Sequence, residues 1–251
     1  MAANQSWEAR MKAVIQCGGK GTRLRPYTSV LPKPLMPIGS RPVLELLLKW
    51  LRRNGIQEVF VTTGYLGHLI RSFCGDGAQW NMKITYTQEV EPLGTIGPLS
   101  RVRDQLDSTF LVLNGDVLTD ISLSRFASFH RSHPGPVTIA TTIRTTKMDF
   151  GVIDEVDSAV RIFQEKPALA HLVSMGLYCM DPEVFDFIPH GVPFGFDDLM
   201  YRMLENGTPV HVFKHDGVWL DIGRVEDFHK AQDVAWDEQS LDIAAPAPVA
   251  A

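Results

Sequence analysis

Short apolar runs and helical periodicities alternate along the first 116 residues of this chain. Lys12–Cys17 is an apolar run that stops at two glycines, as expected for a buried strand that enters a loop. Residues 42–54 carry apolar side chains at helical spacing, and Gly55 suits the C-terminal cap. The same reasoning predicts strands at 58–62, 82–87 and 110–114 and helices at 67–73 and 95–106. This alternation favours a largely parallel sheet covered by helices on both faces.

The second half of the sequence is richer in strands. Beyond Pro136, strands are predicted at 137–143, 152–155, 160–164 and 173–180, and helices at 182–187, 196–205 and 225–236. We therefore predict one α/β domain over residues 11–238, whose second half adds a β-rich lobe. Residues 1–10 are predicted to be a polar extension, and the Ala/Pro-rich residues 239–251 a disordered tail.

Composition narrows the class of partner. The formal net charge of −5 argues against a nucleic-acid surface built on general basicity, although a local cluster of lysines and arginines could still bind a small anion. Cys17, Cys74 and Cys179 are too few and too scattered for a disulfide framework or a zinc site, so buried thiols in a reducing cytoplasm are the better interpretation. No apolar run reaches the roughly 18–20 residues of a membrane span. We predict a cytoplasmic protein without a membrane or nucleic-acid partner.

The loop after the first predicted strand, residues 18–27, reads GGKGTRLRPY. Its glycines allow backbone amides to approach a polyphosphate, and Arg23 and Arg25 add charge and fork-shaped donors. A flexible glycine turn with solvated arginines is the alternative interpretation. The spacing matches neither the ATP-binding loop GxxxxGK[ST] nor the dinucleotide pattern GxGxxG.

Two other segments carry groups suited to phosphate chemistry. Asp116 follows an apolar strand in the sequence Asn-Gly-Asp, where a carboxylate can hold Mg²⁺, although an aspartate there is more often a turn or cap residue. Lys33 lies between two prolines, which hold it in a rigid extended loop.

Six blocks of sequence resemble the sugar-1-phosphate nucleotidyltransferase family and occur in the family's order. They cover nearly the whole chain, from about residue 11 to 235, and are GGKGTRLRP at 18–26, LPKP at 31–34, EPLGT at 91–95, NGD at 114–116, EKP at 165–167 and WLDIG at 219–223. The resemblance implies a Rossmann-like, mixed but mostly parallel sheet flanked by helices. It also implies that residues 11–120 bind a nucleoside triphosphate and residues 121–238 a sugar 1-phosphate.

The resemblance further assigns roles to five charged residues. Arg23 would stabilise the departing pyrophosphate, Lys33 would contact the α-phosphate, and Lys166 would hold the sugar's 1-phosphate. Asp116 and Asp221 would meet around one Mg²⁺, the implied cofactor. The positions that match nucleotide-binding residues are Gln16, Cys17, Gly18, Gly19, Gly21, Thr22, Glu89, Gly94, Thr95 and Gly115. Those that match sugar-phosphate-binding residues are Gly151, Glu165, Lys166, Ser174 and Gly176.

The expected reaction transfers a nucleoside monophosphate to the sugar 1-phosphate and releases pyrophosphate. A phosphate monoester is already a dianionic nucleophile, so no general base is needed. The difficulty lies in bringing two anions together and neutralising charge on the α-phosphorus, for which a metal ion, lysines and an arginine are suited. We expect in-line displacement without a covalent enzyme intermediate.

The sequence departs from the family at two sites. Gln16-Cys17 stands where many members have Leu-Ala, so packing near the base is expected to differ. Ser174-Met175 stands where Asn-Ala is common, which puts a sugar contact from Ser174 in doubt.

Glu89 lies where the family reads the nucleobase, and a carboxylate can accept from both N1–H and the exocyclic amine of guanine. GTP is therefore the favoured nucleotide, with thymidylyl, uridylyl, cytidylyl and adenylyl transfer as alternatives. A nucleotide-sugar glycosyltransferase and a non-catalytic regulatory homologue are the more distant alternatives. The glycosyltransferase would not need Arg23 and Lys33, and a silent relative would usually lack one of the charged set. The sugar stays open between a hexose and a heptose, and the sequence leaves a homodimer open.

Overall fold

The computed structural model describes residues 11–89 and 91–234. The strands found there are β1 (Lys12–Cys17), β2 (Pro37–Ile38), β3 (Arg41–Pro42), β4 (Glu58–Thr63), β5 (Lys83–Gln88), β6 (Phe110–Asn114), β7 (Val117–Thr119), β8 (Val137–Lys147), β9 (Val152–Val156), β10 (Ala159–Gln164), β11 (Ala168–Met180), β12 (Val210–Lys214) and β13 (Trp219–Asp221). The α-helices are α1 (Val43–Arg53), α2 (Gly67–Cys74), α3 (Leu123–Arg131), α4 (Phe196–Glu205) and α5 (Val225–Asp233). The extension at 1–10 and the tail at 239–251 lie outside the described residues.

Seven strands form one sheet in the order β12-β8-β11-β6-β1-β4-β5. The pairs β1–β4, β1–β6, β4–β5 and β8–β12 are parallel. Only β11 within this sheet runs the other way, antiparallel to both β6 and β8. The predicted mixed, mostly parallel α/β sheet is therefore confirmed.

Both faces of the sheet are buried, as the alternation along β1 shows. Ala13 and Ile15 pack into a core on one face, and Val14 packs into a core on the other. The helix α1 covers the first face with Leu44, Leu48 and neighbouring leucines at helical spacing. The second core contains residues of α4 and of the 3₁₀ helices Gly97–Arg101 and Pro182–Asp186. Helices on both faces are what a parallel sheet requires.

A separate two-stranded sheet consists of β7 and β13. β13 pairs antiparallel with β7, and Asp221 lies opposite Val117. Leu118 and Leu220 pack with α1 and α5 residues in a third core. This sheet brings the residues near 116 and those near 221 next to each other.

The β-rich lobe begins where β8 and β11 continue past the central sheet. β12 pairs with β8 only as far as Thr141, whereas β8 and β11 stay paired out to Lys147 and Ala168. The hairpin of β9 and β10 follows, and all of its residues are exposed.

Three sequence predictions of helix were wrong in kind or extent. Residues 95–106 form two 3₁₀ helices, Gly97–Arg101 and Arg103–Gln105, because Pro98 lacks an amide and the Gly97 amide bonds to the Phe194 carbonyl instead. Residues 182–187 form the 3₁₀ helix Pro182–Asp186. The last helix ends at Asp233, and residues 235–236 of that prediction lie outside the described part. The sequence analysis did not predict α3, β7, β12 or the two-residue strands β2 and β3. Lys33, expected in an extended loop, instead begins the 3₁₀ helix Lys33–Leu35.

Within the described residues, no helix is long and apolar enough to cross a membrane.

Candidate active site

A cleft of about 430 Å³ opens at the carboxyl ends of β1, β4 and β6, where open α/β sheets bind their ligands. Eleven of the sequence-predicted site residues line it: Gln16, Cys17, Gly18, Gly19, Arg23, Lys33, Glu89, Gly94, Thr95, Asp116 and Asp221. The structure thus brings together residues that are more than 200 positions apart in the chain.

The glycine-rich loop folds tightly against the lysine loop. Gly21 has a φ of 63°, in the left-handed region, and a Cβ there would lie 2.6 Å from Lys33 Cγ. The Thr28 hydroxyl donates to the Gly21 carbonyl at 2.7 Å, which fixes the loop. A side chain at position 21 would displace the Lys33 side chain, so glycine here leaves the space that Lys33 occupies. Gly21 and Thr22 do not themselves line the cleft.

Three charged side chains converge near Gly223. Lys33 Nζ forms an ion pair with Asp116 Oδ2. A Cβ built on Gly223 would lie 2.8 Å from Asp221 Oδ1, 2.9 Å from Lys33 Nζ and 3.0 Å from Asp116 Oδ2. The backbone fixes this geometry, because the Ile222 amide donates to the Asp116 carbonyl at 2.8 Å. Two carboxylates and one ammonium group therefore face a single small volume.

The electrostatics of the two carboxylates favour a cation. Burial and then the neighbouring charge of Asp116 raise the pKa of Asp221, against smaller opposing effects from the Gly223 amide, Lys33 and Arg23. No group of three or more His, Cys, Asp or Glu side chains suited to a metal ion occurs between residues 11 and 234, with residue 90 left aside. Two carboxylates fit Mg²⁺ nonetheless, because this ion commonly completes its shell with water and substrate phosphates.

Glu89 lies in the cleft opposite the glycine-rich loop. Its Oε2 accepts from the Leu93 amide at 2.9 Å, and its Oε1 is 2.6 Å from where a Gly18 Cβ would lie. Burial raises the pKa of Glu89, and the Leu93 hydrogen bond partly offsets this. Glu89 therefore stabilises the loop that follows β5 and still presents an oxygen to the cleft.

The far wall of the cleft is held by polar contacts. Gln16 Nε2 donates to the Thr95 carbonyl, and the Thr95 hydroxyl accepts from the Phe196 amide at 2.9 Å. Gly115, although it does not line the cleft, donates its amide to the Gln16 carbonyl at 2.9 Å and so joins the ends of β1 and β6.

Sequence reasoning missed five lining residues: Pro34, Thr62, Pro92, Pro98 and Asn114. Thr62 and Asn114 both pair in register with Gln16 across the sheet, so they extend the row of side chains at the strand ends. The strand prediction that ended at Thr62 and the block that began at Asn114 could have placed both there. Two of the prolines lie inside quoted blocks, Pro34 in LPKP and Pro92 in EPLGT, and Pro98 lies three residues after the second of these. No pattern in the sequence marked these prolines as lining residues.

The predicted sugar-phosphate residues do not line the cleft. Glu165 and Lys166 lie in the turn between β10 and β11, 4.0 Å apart at their charged atoms and each 64% exposed. Gly151 lies against the Phe163 ring. Ser174 Oγ donates to the Tyr178 hydroxyl at 3.2 Å, and Gly176 packs against the Asn114 side chain. Only Gly176 therefore touches the cleft wall, through Asn114.

Comparison with known proteins agrees with this architecture. The sequence matches the family described as Nucleotidyl transferase over residues 12–238, and the chain belongs to that family. A UTP--glucose-1-phosphate uridylyltransferase from Synechocystis sp. (strain ATCC 27184 / PCC 6803 / Kazusa) is 35% identical over 241 residues, which cover 88% of this chain. A mannose-1-phosphate guanyltransferase from Schizosaccharomyces pombe (strain 972 / ATCC 24843) is 33% identical over 227 residues, or 87% of this chain.

The chain spans 62% of the length of both relatives. Among solved structures, HddC from Yersinia pseudotuberculosis complexed with GMP-PN superposes with a TM-score of 0.69 at 26% identity. The superposition covers 88% of this chain and 98% of the HddC chain.

Proposed function

We propose that this chain joins a sugar 1-phosphate to the nucleoside monophosphate of an NTP and releases pyrophosphate. The convergence of Lys33, Asp116 and Asp221 on one point beside a glycine-rich loop carries this proposal. The attacking phosphate needs no general base, so the enzyme has to align two anions and neutralise charge at the α-phosphorus. An ammonium group and a pair of metal-binding carboxylates serve that purpose.

Each residue of the cleft then has a distinct task. The amides of Gly18 and Gly19 approach the phosphates of the nucleotide, and Arg23 binds the departing pyrophosphate. Lys33, held by its ion pair with Asp116, contacts the α-phosphate where charge develops. The sugar phosphate attacks from the side opposite the pyrophosphate.

Asp116 and Asp221 are the residues that would hold Mg²⁺. When bound, Mg²⁺ neutralises negative charge on the phosphate oxygens. Support comes from the raised pKa of Asp221, which burial and the charge of Asp116 cause together. We choose Mg²⁺ because this ion typically binds one or two carboxylates together with the phosphates of a substrate.

We assign residues 11–120 to nucleotide binding and residues 121–238 to the sugar phosphate. Lys166 is the proposed anchor of the 1-phosphate, with Glu165, Gly151, Ser174 and Gly176 toward the sugar. These assignments rest on the matching blocks of sequence. A cytoplasmic location and a homodimer stay predictions from sequence.

GTP is the proposed nucleotide. Glu89 can accept from guanine N1–H and from its exocyclic amine, and its Oε1 lies beside Gly18 at the cleft. The yeast relative is named a mannose-1-phosphate guanyltransferase, and HddC was solved with GMP-PN. The Synechocystis relative, named for UTP, keeps uridylyl transfer as the alternative.

The experiment is a pyrophosphate-release assay with Mg²⁺, in which GTP, dTTP, UTP, CTP and ATP are each combined with hexose and heptose 1-phosphates. We expect release only when both substrates are present, with the highest kcat/KM for GTP. Transfer of the sugar from a nucleotide sugar to an acceptor, with no formation of pyrophosphate, would instead identify a glycosyltransferase. No turnover with any pair, despite nucleotide binding, would identify a non-catalytic relative.

Glu89→Gln tests the nucleobase assignment. The amide would place a donor opposite guanine's own donors, a buried mismatch of roughly 1–3 kcal/mol, or about 5- to 150-fold in kcat/KM for GTP. UTP should suffer less, because an amide can accept from N3–H while it donates to a carbonyl. An equal loss with all five nucleotides would show that Glu89 acts on the loop through Leu93 rather than on the base.

A further inference from the structure

Asp227 is a buried acidic residue that the proposed reaction does not use. It occupies the first turn of α5 and is 1% exposed. A carboxylate is costly to bury unless charged or polar partners surround it, so its contacts show what it does. One of those contacts is to Asp221, a residue of the candidate active site.

The Asp227 carboxylate accepts three hydrogen bonds. Arg144 donates from both Nη atoms, at 2.8 Å to Oδ2 and 2.6 Å to Oδ1, in the bidentate geometry of the strongest ion pairs. The third donor is the backbone amide of Asp221, at 3.1 Å from Oδ2. Asp227 is thus bonded directly to the residue whose carboxylate faces Asp116.

Arg144 connects this contact to the β-rich lobe. It lies on β8, three residues past Thr141, the last residue of β8 paired with β12. Its guanidinium group lies 5.2 Å from the centre of the Trp219 ring, and Trp219 Nε1 donates to the Met175 carbonyl of β11 at 2.9 Å. The strand β13 is therefore attached to α5, β8 and β11 at Trp219 and Asp221, the residues on either side of Leu220.

We propose that Asp227 is a positioning residue that, braced by Arg144, sets the orientation of Asp221 toward its cation. The inference rests on the proposed function, because only there does Asp221 have a cation to bind. The direct ligands of a metal ion depend on the groups that hold them, and loss of such a group typically costs metal affinity roughly 10- to 100-fold. Fixing the Asp221 backbone reduces the freedom of its carboxylate next to Asp116 and Lys33.

The variants are chosen to weaken the contact and keep the fold. Asp227→Asn preserves the volume and one acceptor oxygen, and Arg144→Lys preserves the charge without the paired donors. Glu226→Gln is the matched control, since it removes an exposed acid from the adjacent position of the same helix. Thermal unfolding of each variant monitors the fold separately.

Metal binding is the decisive readout, because it needs no turnover. Mn²⁺ alone is titrated into each protein, and the free ion is followed by electron paramagnetic resonance. We expect Asp227→Asn and Arg144→Lys to weaken Mn²⁺ binding roughly 10- to 100-fold, and Glu226→Gln to leave it unchanged. In the transferase assay, raising Mg²⁺ should restore kcat for the two variants, which a general loss of folded protein would not allow.

Wild-type Mn²⁺ affinity in both variants, with only a lower melting temperature, would overturn the inference and leave the pair a structural contact. Absence of Mn²⁺ binding by the wild type would also overturn it. If the variants weaken Mn²⁺ binding but no NTP and sugar phosphate pair releases pyrophosphate, the proposed function fails while the positioning role of Asp227 stands.

Discussion

The negative charge of Asp221 is unfavourable in the folded protein, and its neighbours only partly offset this cost. Burial and the nearby charge of Asp116 disfavour its ionised form, and the attraction of Lys33 is smaller. Because its folded pKa lies above the ordinary value, the folded state binds more protons than the unfolded state between these two values. Stability therefore falls as pH rises through this window, and above it the ionised Asp221 destabilises the metal-free protein.

Asp221→Asn should therefore stabilise the metal-free protein at neutral pH while it removes most transferase activity. The amide keeps the oxygen that accepts from the Gly223 amide at 2.9 Å, so only the charge is lost. We expect a gain of about 1 kcal/mol or less in the free energy of unfolding, the usual scale for a partly exposed charge. Urea unfolding with EDTA and with Mg²⁺ measures it, and Mg²⁺ should stabilise only the wild type.

Asp107→Asn is the control for this prediction. Asp107 is an exposed acid whose pKa is lowered, first by its hydrogen bond from Lys12, so its charge is favourable in the folded state. Its replacement should not stabilise the protein. A destabilised Asp221→Asn protein would show that the carboxylate is not under repulsion.

Lys33→Ala and Lys166→Ala should change different kinetic parameters. Lys33 is partly buried beside Asp116 and contacts the transferring phosphoryl group in our proposal, so its loss should lower kcat on the order of 10²-fold or more. Lys166 is 64% exposed and is proposed to hold the sugar phosphate, so its loss should raise the KM for that substrate. Steady-state kinetics with each substrate varied separates them, and an unchanged sugar-phosphate KM in Lys166→Ala would contradict its assignment.

At the scale of secondary structure, the segment from Leu93 to Gly97, which forms a wall of the cleft, shows what local periodicity cannot predict. Its apolar spacing indicated a helix from 95 to 106, yet the Ile96 and Gly97 amides both donate to the Phe194 carbonyl. That partner lies about a hundred residues away in the sequence, so no local pattern contains it. The elements whose hydrogen bonds are local or regular, such as α1 and β1, were predicted within one or two residues.

Gly94→Ala should disturb this wall. Gly94 has a φ of 79°, and a Cβ there would lie 2.7 Å from the Phe194 carbonyl oxygen. We expect a loss of about 1–3 kcal/mol in stability and a weaker binding of nucleotide, measured by thermal unfolding and calorimetry. Gly39→Ala is the matched control, since Gly39 has a φ of 58° but open space around it. Equal effects of both changes would assign the loss to backbone strain alone.

At the scale of the whole molecule, the parallel topology explains why the sequence could predict that residues distant in the chain lie close together. The carboxyl ends of β1 and β6 lie at one edge of the sheet, so the loops carrying Arg23, Lys33 and Asp116 had to meet there. Asp221 reached the same point through the pairing of β13 with β7, which only the family resemblance anticipated. The placement of Lys166 outside the cleft wall was not foreseen, because its position depends on how far the ribbon of β8 and β11 extends past the sheet.

This arrangement gives a prediction about the β-rich lobe. If Lys166 holds the sugar phosphate, the turn between β10 and β11 has to approach the cleft when both substrates bind, since the nucleotide is proposed to contact Lys33 and Asp116 there. Amide hydrogen exchange in residues 148–172 should therefore slow with GTP, Mg²⁺ and the sugar 1-phosphate together, and remain unchanged with GTP and Mg²⁺ alone. Because the proposed reaction breaks the bond between the α- and β-phosphates, the nucleotide used is a GTP analogue whose α–β bridging oxygen is replaced by a group that cannot be displaced. Lys166→Ala should abolish the added protection while exchange in β1 stays as in the wild type. Protection of this segment by the nucleotide alone, or undiminished protection in Lys166→Ala, would show that another group receives the sugar phosphate.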